Sequence, residues 1–592
     1  MPNTIGSNNV EIQERKETAK LKRSLVFFVF FDGTNNNKVQ VAKSRTFRDK
    51  AILENINKFL KSGKLSNGSD FPNDKLKKLQ NKDLITENTV LYIKSGHKLK
   101  ANITANDVRK LGRGFWTGVL SNDDVDALFF GYEEQEDGTY ADFVGKDIEF
   151  NAKIKKNVDE SYSYTNIAIL EKLFCKKDSN SNIYIPLYIE GSGTASTESD
   201  GNAIFQGQGR GRGYQGVCAK LSTMIKQIKE KIAEKCFYYD IESIDYYVFG
   251  FSRGATTARM FTHLATVELD ADGFPTKKLD EKSNDIIALT EKGHNKFHFK
   301  PSLNTTKISV KFLGLYDTVA SITLNLSDSN YTNNVKDYFL YSTDKADYTL
   351  HLTAIDEYRK NFGLVDIQSS INSGKGTEIF MPGCHTDIGG GRAIQENSRR
   401  NDFQYKSLWT SNVHSKESIT FKKISTNDKE SKELITKVGW AEKEDDVTIN
   451  ALGVTIKRDI ISGYSNVGLS LMVESTNSKL AGSFTTVEST PFKIPTDLMN
   501  IKKDISGKCN ANGRWFMYPS QTNYAKLRTK YLQLSCEDDI LTVNHPTYKT
   551  LNIDGTIHQL LIRLVATGLQ SSQLQYMCDY SGASFKEISG IR

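Results

Sequence analysis

The chain alternates between short, strongly apolar runs and longer polar stretches, and the apolar runs have the length of buried strands. The run "LVFFVFF" (25–31) is followed by the turn-rich "DGTNNN", and "IYIPLYIEGSGT" (183–194) also ends in glycines. Three further runs have the same character: "IDYYVFG" (244–250), "ISVKFLGLYD" (308–317) and "TEIFMPGCH" (377–385). Aromatic and β-branched runs bounded by turn residues favour strands, and the first of these runs has the character of a fully buried strand.

Helical periodicity separates these predicted strands. Leu221, Ile225, Ile228 and Ile232 recur at the spacing of one helix face, and "ATTARMFTHLAT" (255–266) predicts another helix. Strands that alternate with helices indicate an α/β fold, here of the α/β-hydrolase-like kind with a mainly parallel central sheet. The predicted domains are a disordered leader (1–22), a catalytic domain (23–420) with a Lys/Asn-rich insertion (38–165), and an accessory region (421–592) packed on the core with membrane-docking or lid elements.

The distribution of charged residues along the chain excludes few classes of binding partner. The net charge of the 592 residues is +7, but residues 41–113 hold 17 Lys and Arg against 7 Asp and Glu. Such a basic block is either a solvated insertion or a surface for an anionic membrane. Few aromatic residues interleave with these lysines, which argues against binding of nucleic acid. The first 22 residues lack the apolar segment of a secretory signal, and no apolar run is long enough to cross a bilayer.

Neither a metal nor an organic cofactor is expected. The seven cysteines show no paired spacing, which argues against a structural zinc site and for a reducing compartment during folding. Gly211, Gly213 and Gly216 match the G-x-G-x-x-G pattern of dinucleotide binding, but no strand directly precedes them. A flexible glycine-rich loop is the better interpretation of this segment.

The stretch "VFGFSRGATTAR" (248–259) carries the strongest candidate chemistry. Gly250, Ser252 and Gly254 spell G-x-S-x-G between a predicted strand and a predicted helix. In a nucleophile elbow the serine occupies this sharp turn, and glycines flank it because side chains there would strike neighbouring backbone. A Gly-Ser-Gly turn without catalytic meaning is the alternative.

A serine hydroxyl needs a base and an orienting acid, which follow in the order Ser, Asp, His in α/β-hydrolases. Asp317 ends the strand "KFLGLYD", and His385 follows the strand "IFMPG" in a glycine-rich loop. Asp387 is a rival for the acid, but a residue two positions from His385 cannot easily place its carboxylate behind the imidazole. The predicted triad is therefore Ser252, His385 and Asp317.

Ester hydrolysis also needs donors for the oxyanion of the tetrahedral intermediate. The backbone amide of Arg253 is one expected donor, and the amide of Gly33 or Thr34 in "FFDGTNNN" is the other. A phosphatase of the haloacid dehalogenase type requires D-x-D-G-T in this segment, and Phe30 stands where its nucleophile belongs.

Four segments in chain order, "FFDGTNNN", "GFSRGATTAR", "FLGLYDTVAS" and "PGCHTDIGGG", resemble the Tle1 family of type VI secretion lipase effectors. Weaker similarities in 351–362, 462–472 and 527–535 extend the resemblance over most of residues 24–535. It implies an α/β-hydrolase-like phospholipase A with its triad on Ser252, Asp317 and His385. The Lys/Asn-rich insertion and residues 536–592 depart from the resemblance.

The resemblance also implies a place of action and a set of partners. Such effectors are cytoplasmic in the producer, travel with a VgrG-like or Hcp-like carrier, and act on the phospholipid membrane from the periplasm of a target cell. A cognate immunity protein guards the producer. The expected protein is thus an antibacterial phospholipase that works through an acyl-enzyme. The alternatives are a soluble carboxylesterase or thioesterase, and a non-catalytic binding protein on the same fold.

Overall fold

A computed structural model gives the structure of the protein in several stretches of the chain. The described residues are 20–34, 36, 38, 132–134, 140–142, 164–193, 216–266, 307–322, 334–336, 338–359, 361–391, 414–421, 428–437, 439–450, 453–461, 463–490, 492, 494–517, 521–535, 548–553, 556–561, 563–569, 575–578 and 585–587. Most of the predicted leader (1–22), most of the predicted insertion (38–165) and the glycine-rich loop before residue 216 lie outside these residues.

The strands of the described residues form one large sheet and several small ones. In chain order they are Leu21–Phe31 (β1), Tyr132–Glu134 (β2), Tyr140–Asp142 (β3), Asn182–Ile189 (β4), Tyr239–Phe251 (β5), Lys307–Tyr316 (β6), Thr349–Ala354 (β7), Leu364–Val365 (β8), Gly376–Met381 (β9), His414–Phe421 (β10), Val447–Asn450 (β11), Gly453–Ile461 (β12), Gly513–Phe516 (β13), Tyr548–Ile553 (β14), Thr556–Leu561 (β15), Arg563–Ala566 (β16), Gln575–Cys578 (β17) and Phe585–Glu587 (β18). The large sheet has the order β13-β9-β7-β6-β5-β1-β4, and all its neighbouring strands pair in parallel. The predicted α/β class with a mainly parallel central sheet is confirmed.

The apolar run of β1 is continuous because both faces of this strand are buried. Phe28 and Phe30 belong to the core on one face of the sheet, and Phe27 and Phe31 belong to the core on the other. β1 lies between β4 and β5, so its backbone is paired on both edges. Strand β1 therefore forms part of the centre of the protein, as a run without polar alternation predicts.

Helices cover both faces of the sheet. They are Asn166–Leu173 (α1), Val217–Tyr238 (α2), Arg253–Thr266 (α3), Gln368–Asn372 (α4), His385–Gly389 (α5), Asp428–Lys437 (α6), Ser465–Lys479 (α7), Met499–Ser506 (α8) and Gln521–Lys530 (α9). The apolar faces of α2 and α3 pack into one core, and those of α1 and α7 pack into the other. Among the described residues, no helix is both long and apolar enough to span a membrane.

The region after residue 420 shares the core of the sheet. Strand β13 pairs in parallel with β9 and forms one edge of the central sheet. Strand β16 pairs in parallel with β8, and β17 and β18 continue that small sheet. The central sheet thus includes strand β13, which lies outside the predicted catalytic domain 23–420. The predicted domain boundaries stay a prediction.

Strand β1 begins earlier than its apolar pattern indicates. It starts at Leu21, inside the predicted leader, although the apolar run starts at Leu25. Residues 21–24 of β1 pair with the start of β5 outside the buried core, and these four residues are exposed or only partly buried. Hydrophobic pattern cannot mark a paired segment that is not buried.

Candidate active site

The predicted site residues follow strands that are close together in the sheet. Because the strands are parallel, the residues after their carboxyl ends gather at one edge. The register pairs Phe251 with Tyr316, so Ser252 and Asp317 leave neighbouring strands side by side. His385 begins α5, a few residues after the end of β9. The sheet therefore brings together three residues that are far apart in the sequence.

Ser252 forms a strained turn between β5 and α3. Its φ angle is 58°, in the left-handed region, and its side chain is buried. Its amide donates to the carbonyl of Tyr316 (3.1 Å), and its carbonyl accepts from the amides of Ala255 and Thr256 at the start of α3. A non-glycine residue in this conformation costs about 1–3 kcal/mol, and such strain concentrates at functional sites.

Gly254 shows why this turn requires a glycine. A Cβ atom at this position would lie 2.3 Å from the carbonyl oxygens of Phe31 and Asp32, which end β1 and begin the next loop. The start of α3 thus touches the backbone of the neighbouring strand directly. The close approach places the serine turn against the loop that carries Gly33 and Thr34.

His385 and Asp317 form a buried hydrogen-bonded pair beside this turn. Nδ1 of His385 lies 2.5 Å from Oδ2 of Asp317, and both side chains are almost completely buried. A proton on Nδ1 that is donated to the carboxylate leaves Nε2 as the nitrogen that accepts a proton. The ring of Phe251, the residue before Ser252, lies 4.6 Å from the imidazole centroid. The imidazole is thus adjacent to the serine turn.

Asp317 is held as a carboxylate by several donors. Its Oδ1 accepts from the amide of Ala354 (2.8 Å) and from Nη1 of Arg563 (2.7 Å), and its Oδ2 accepts from Nη2 of Arg563 (2.8 Å) as well as from His385. Burial by itself raises the pKa of Asp317, but Arg563 and His385 outweigh it and lower that pKa well below its usual range. Asp317 is therefore ionised throughout the physiological pH range.

The surroundings of His385 favour the neutral form of its imidazole. Burial lowers its pKa, and the Asp317 carboxylate opposes that effect without reversing it. The amide of His385 donates to Oε2 of Glu357 (3.3 Å), and Glu357 forms a two-pronged ion pair with Arg359 through contacts of 2.9 and 2.8 Å. A neutral imidazole is the form that can remove a proton from a hydroxyl.

Asp387 occupies a different place from its rival Asp317. Its Oδ2 accepts from the amides of Cys384 (2.9 Å) and Gln533 (3.0 Å), which closes the loop before α5. Asp317, by contrast, is directly bonded to the imidazole. Of the two carboxylates, Asp317 is the one that contacts the imidazole, and its role as the acid of a triad stays a prediction.

The predicted oxyanion loop is ordered by a buried carboxylate. Asp32 accepts from the amide of Gly33 (2.7 Å) and from the hydroxyls of Thr165 (2.6 Å) and Tyr188 (2.6 Å). Burial raises the pKa of Asp32 to about 6 in spite of these donors. Because the Gly33 amide is bonded to Asp32, it is not directed to an oxyanion, and Thr34 is the candidate that remains in this loop. Arg253 begins α3, where amides point out of the helix N-terminus.

Sequence reasoning missed the charged residues around the pair. Glu357 and Arg359 lie in the segment 351–362, which the resemblance included without a role. Arg563 lies in the predicted accessory region, and no local pattern distinguishes it from other surface-type arginines. Among the described residues, no group of three or more His, Cys, Asp or Glu side chains is arranged to hold a metal ion.

A parallel α/β sheet with a serine on a strained strand-to-helix turn and an acid–histidine pair beside it is the arrangement typical of α/β-hydrolases. Residues 136–411 match the model of the type VI secretion system phospholipase effector Tle1-like catalytic domain. This match confirms the resemblance found in the motifs for residues 136–411, a little under half of the 592-residue chain. The matched segment contains Ser252, Asp317 and His385, whereas "FFDGTNNN" precedes it.

Other comparisons give only distant similarities. No curated protein matches the chain. A solved structure of the Tle1 effector bound to the VgrG spike of the type VI secretion system is 16% identical, covers 94% of this chain and 92% of its own, and has a TM-score of 0.43. An uncharacterized protein from Pseudomonas aeruginosa is 14% identical over 86% of this chain and 53% of its own, with a TM-score of 0.24. Scores this low establish nothing further about this chain.

Proposed function

We propose that this chain is a phospholipase A that hydrolyses an acyl ester of membrane glycerophospholipids through an acyl-enzyme on Ser252. The observation that carries the proposal is the buried bond between His385 and Asp317 beside the strained turn of Ser252. The match of this segment to a phospholipase effector domain supports the choice of substrate class. A hydrolase with a Ser-His-Asp triad needs the bond between His385 and Asp317, and the family match favours lipid esters as its substrates.

The proposed reaction proceeds in two balanced halves. Nε2 of His385 takes the proton of the Ser252 hydroxyl, whose oxygen attacks the acyl carbonyl while Asp317 holds the imidazolium. The amides of Arg253 and Thr34 donate to the oxyanion, and the imidazolium returns the proton to the departing lysophospholipid alkoxide. Water then attacks the acyl-enzyme with His385 as base, and the products are a fatty acid and the free serine.

The biological setting follows from the family. We propose that the chain is an antibacterial effector that the type VI apparatus exports with a VgrG-like or Hcp-like carrier. Its target is the membrane of a rival cell, reached from the periplasm, and a cognate immunity protein protects the producer. Support comes from the match of residues 136–411 to the catalytic domain of a type VI secretion phospholipase effector.

The test is fatty-acid release from phosphatidylethanolamine/phosphatidylglycerol vesicles by wild type, Ser252→Ala and Ser243→Ala. Ser243 lies on the same strand as Ser252, at its other end, where its hydroxyl donates to Ser24 (2.8 Å). We expect Ser252→Ala to lose at least about 10³-fold in activity, and Ser243→Ala to keep it. The lysophospholipid that accumulates identifies the ester that is cut.

Two other outcomes point to the alternatives. Hydrolysis of short water-soluble esters without release from vesicles would indicate a soluble carboxylesterase or thioesterase. Folded wild type that neither releases fatty acid nor reacts with a fluorophosphonate would indicate a non-catalytic binding protein. Full activity in Ser252→Ala would refute the assignment of the nucleophile.

A further inference from the structure

Arg563 is a buried cation on the acid of the proposed triad. Its Nη1 and Nη2 donate to the two oxygens of Asp317 at 2.7 and 2.8 Å, and its side chain is 1% exposed. The same guanidinium donates to the carbonyls of Ala354 (2.5 Å) and Phe362 (3.2 Å). Two parallel bonds of this kind fix a carboxylate in the plane of the guanidinium. The orientation of Asp317 therefore depends on Arg563.

A short stretch of sheet delivers Arg563 to the site. Arg563 begins β16, in which Val565 pairs with Leu364 of β8. Leu364 in turn bridges to Val319, two residues after Asp317. Backbone pairing thus runs from the acid of the site through β8 to the strand that carries the cation. The part of the chain that supplies this cation lies well beyond the end of the segment matched to the catalytic domain at residue 411.

We propose that Arg563 is a positioning residue for the ester hydrolysis proposed above, on which this inference rests. It holds the carboxylate plane of Asp317 so that Oδ2 faces Nδ1 of His385. Its positive charge also offsets part of the negative charge that stabilises the imidazolium. The consequence is that His385 stays neutral, and able to act as a base, at a lower pH than it would beside an uncompensated carboxylate.

Arg563 is one of two cations among the described charged groups around the imidazole. The groups that face His385 or its immediate partners are the carboxylates of Asp317 and Glu357 and the guanidinium groups of Arg359 and Arg563, with the Asp387 carboxylate bonded to the amide of Cys384 at the start of the same helix. Arg359 is committed to Glu357 by two contacts. Removal of Arg563 therefore leaves the negative charge of Asp317 opposite His385 without its cation.

The experiment measures kcat and kcat/KM against pH on a water-soluble p-nitrophenyl ester for wild type, Arg563→Met and Arg563→Lys. Arg563→Met removes both the positive charge and the two hydrogen bonds to Asp317. We expect the acid limb of the pH profile of kcat/KM to move up by about one pH unit and kcat to fall about 10²-fold. Lysine keeps the charge but not the two-pronged geometry. Arg563→Lys should therefore keep the acid limb near that of wild type and still lose kcat.

Lys502→Met is the matched control for loss of a largely buried cation. Lys502 pairs with Glu474, and its side chain is 14% exposed. Its helix α8 is followed by Cys509, whose carbonyl accepts from Tyr348 at the amino end of β7, the sheet edge opposite the site. This variant should lower the melting temperature without moving the pH profile. Arg563→Met that behaves in the same way, with an unmoved acid limb and an unchanged kcat, would reduce Arg563 to a stability residue and overturn the inference.

Two further outcomes separate the inference from the proposed function. Hydrolysis that persists in Ser252→Ala refutes the proposed function, and with it the basis of the inference. Hydrolysis that depends on Ser252 but has the same kcat in folded Arg563→Lys as in wild type at every pH refutes the inference alone. The lysine variant decides the question even where Arg563→Met fails to fold.

Discussion

The contact of Gly254 with β1 allows the effect of adding one methyl group to be worked out. An alanine Cβ would lie 2.3 Å from the carbonyl oxygens of Phe31 and Asp32, whereas ordinary carbon–oxygen contacts are no shorter than about 3.3 Å. The start of α3 must therefore move about 1 Å away from the end of β1. Both contacts are to backbone, so no side chain can rotate aside. Overpacking of this kind costs about 3 kcal/mol, which corresponds to a melting temperature lower by about 2–3 °C for a chain of 592 residues.

The same displacement separates the Ser252 turn from the loop that carries Thr34. A misplacement of about 1 Å costs about 10²-fold in catalysis, so we expect Gly254→Ala to lower kcat/KM on a soluble ester by this factor. Gly507→Ala is the control, because a Cβ at Gly507 has no neighbour closer than the Asp504 carbonyl oxygen at 3.8 Å. Differential scanning calorimetry and ester hydrolysis measure both effects. A Gly254→Ala protein with the melting temperature and kcat/KM of wild type would refute the reasoning.

Two further predictions concern the carboxylates of the site. Folding raises the pKa of Asp32 to about 6 from an ordinary value of 3.8, so the folded protein binds this proton more tightly than the unfolded chain does. The free energy of unfolding should therefore fall by about 2–3 kcal/mol through this residue as pH rises from about 4 to about 6. Asp32→Asn cannot ionise and should remove that part of the pH dependence, as urea unfolding across this pH range would show; identical slopes in both proteins would contradict it. Asp317→Asn should lose about 10⁴-fold in kcat, the loss known for the equivalent change in a serine protease, whereas Asp387→Asn keeps its loop contacts and most of the activity. Equal losses in steady-state ester hydrolysis would show that the two carboxylates are misassigned.

Local sequence was sufficient for the parts of the fold that repeat a simple pattern. The spacing of apolar residues alone predicts that the run around Phe28 and the helix face around Ile225 are buried. The alternation of such strands and helices along the chain predicts the parallel sheet. The candidate site could be predicted because parallel strands collect their carboxyl ends at one edge. The order of Ser252, Asp317 and His385 along the chain then places them together before any contact is known.

The remaining features depend on contacts that the sequence does not encode locally. Gly33 was an expected donor, but the neighbouring Asp32 carboxylate engages its amide, and only coordinates reveal which way a carboxylate points. The four-residue strand β13 carries no strong apolar signal, and it joins the sheet because the edge of β9 offers unpaired backbone. Arg563 illustrates the same limit, because an arginine that neutralises a buried acid has the same local sequence appearance as one in solvent.

The bond between Asp317 and Arg563 also determines when, during synthesis, the acid–histidine pair receives its cation. The two residues are 246 positions apart, and closure of such long loops makes folding slow. The turn of Ser252 can form once β6, whose Tyr316 accepts from the Ser252 amide, has left the ribosome, but Asp317 receives its cation only when residue 563 emerges. A nascent chain therefore contains the turn of Ser252 long before it contains the cation that pairs with Asp317.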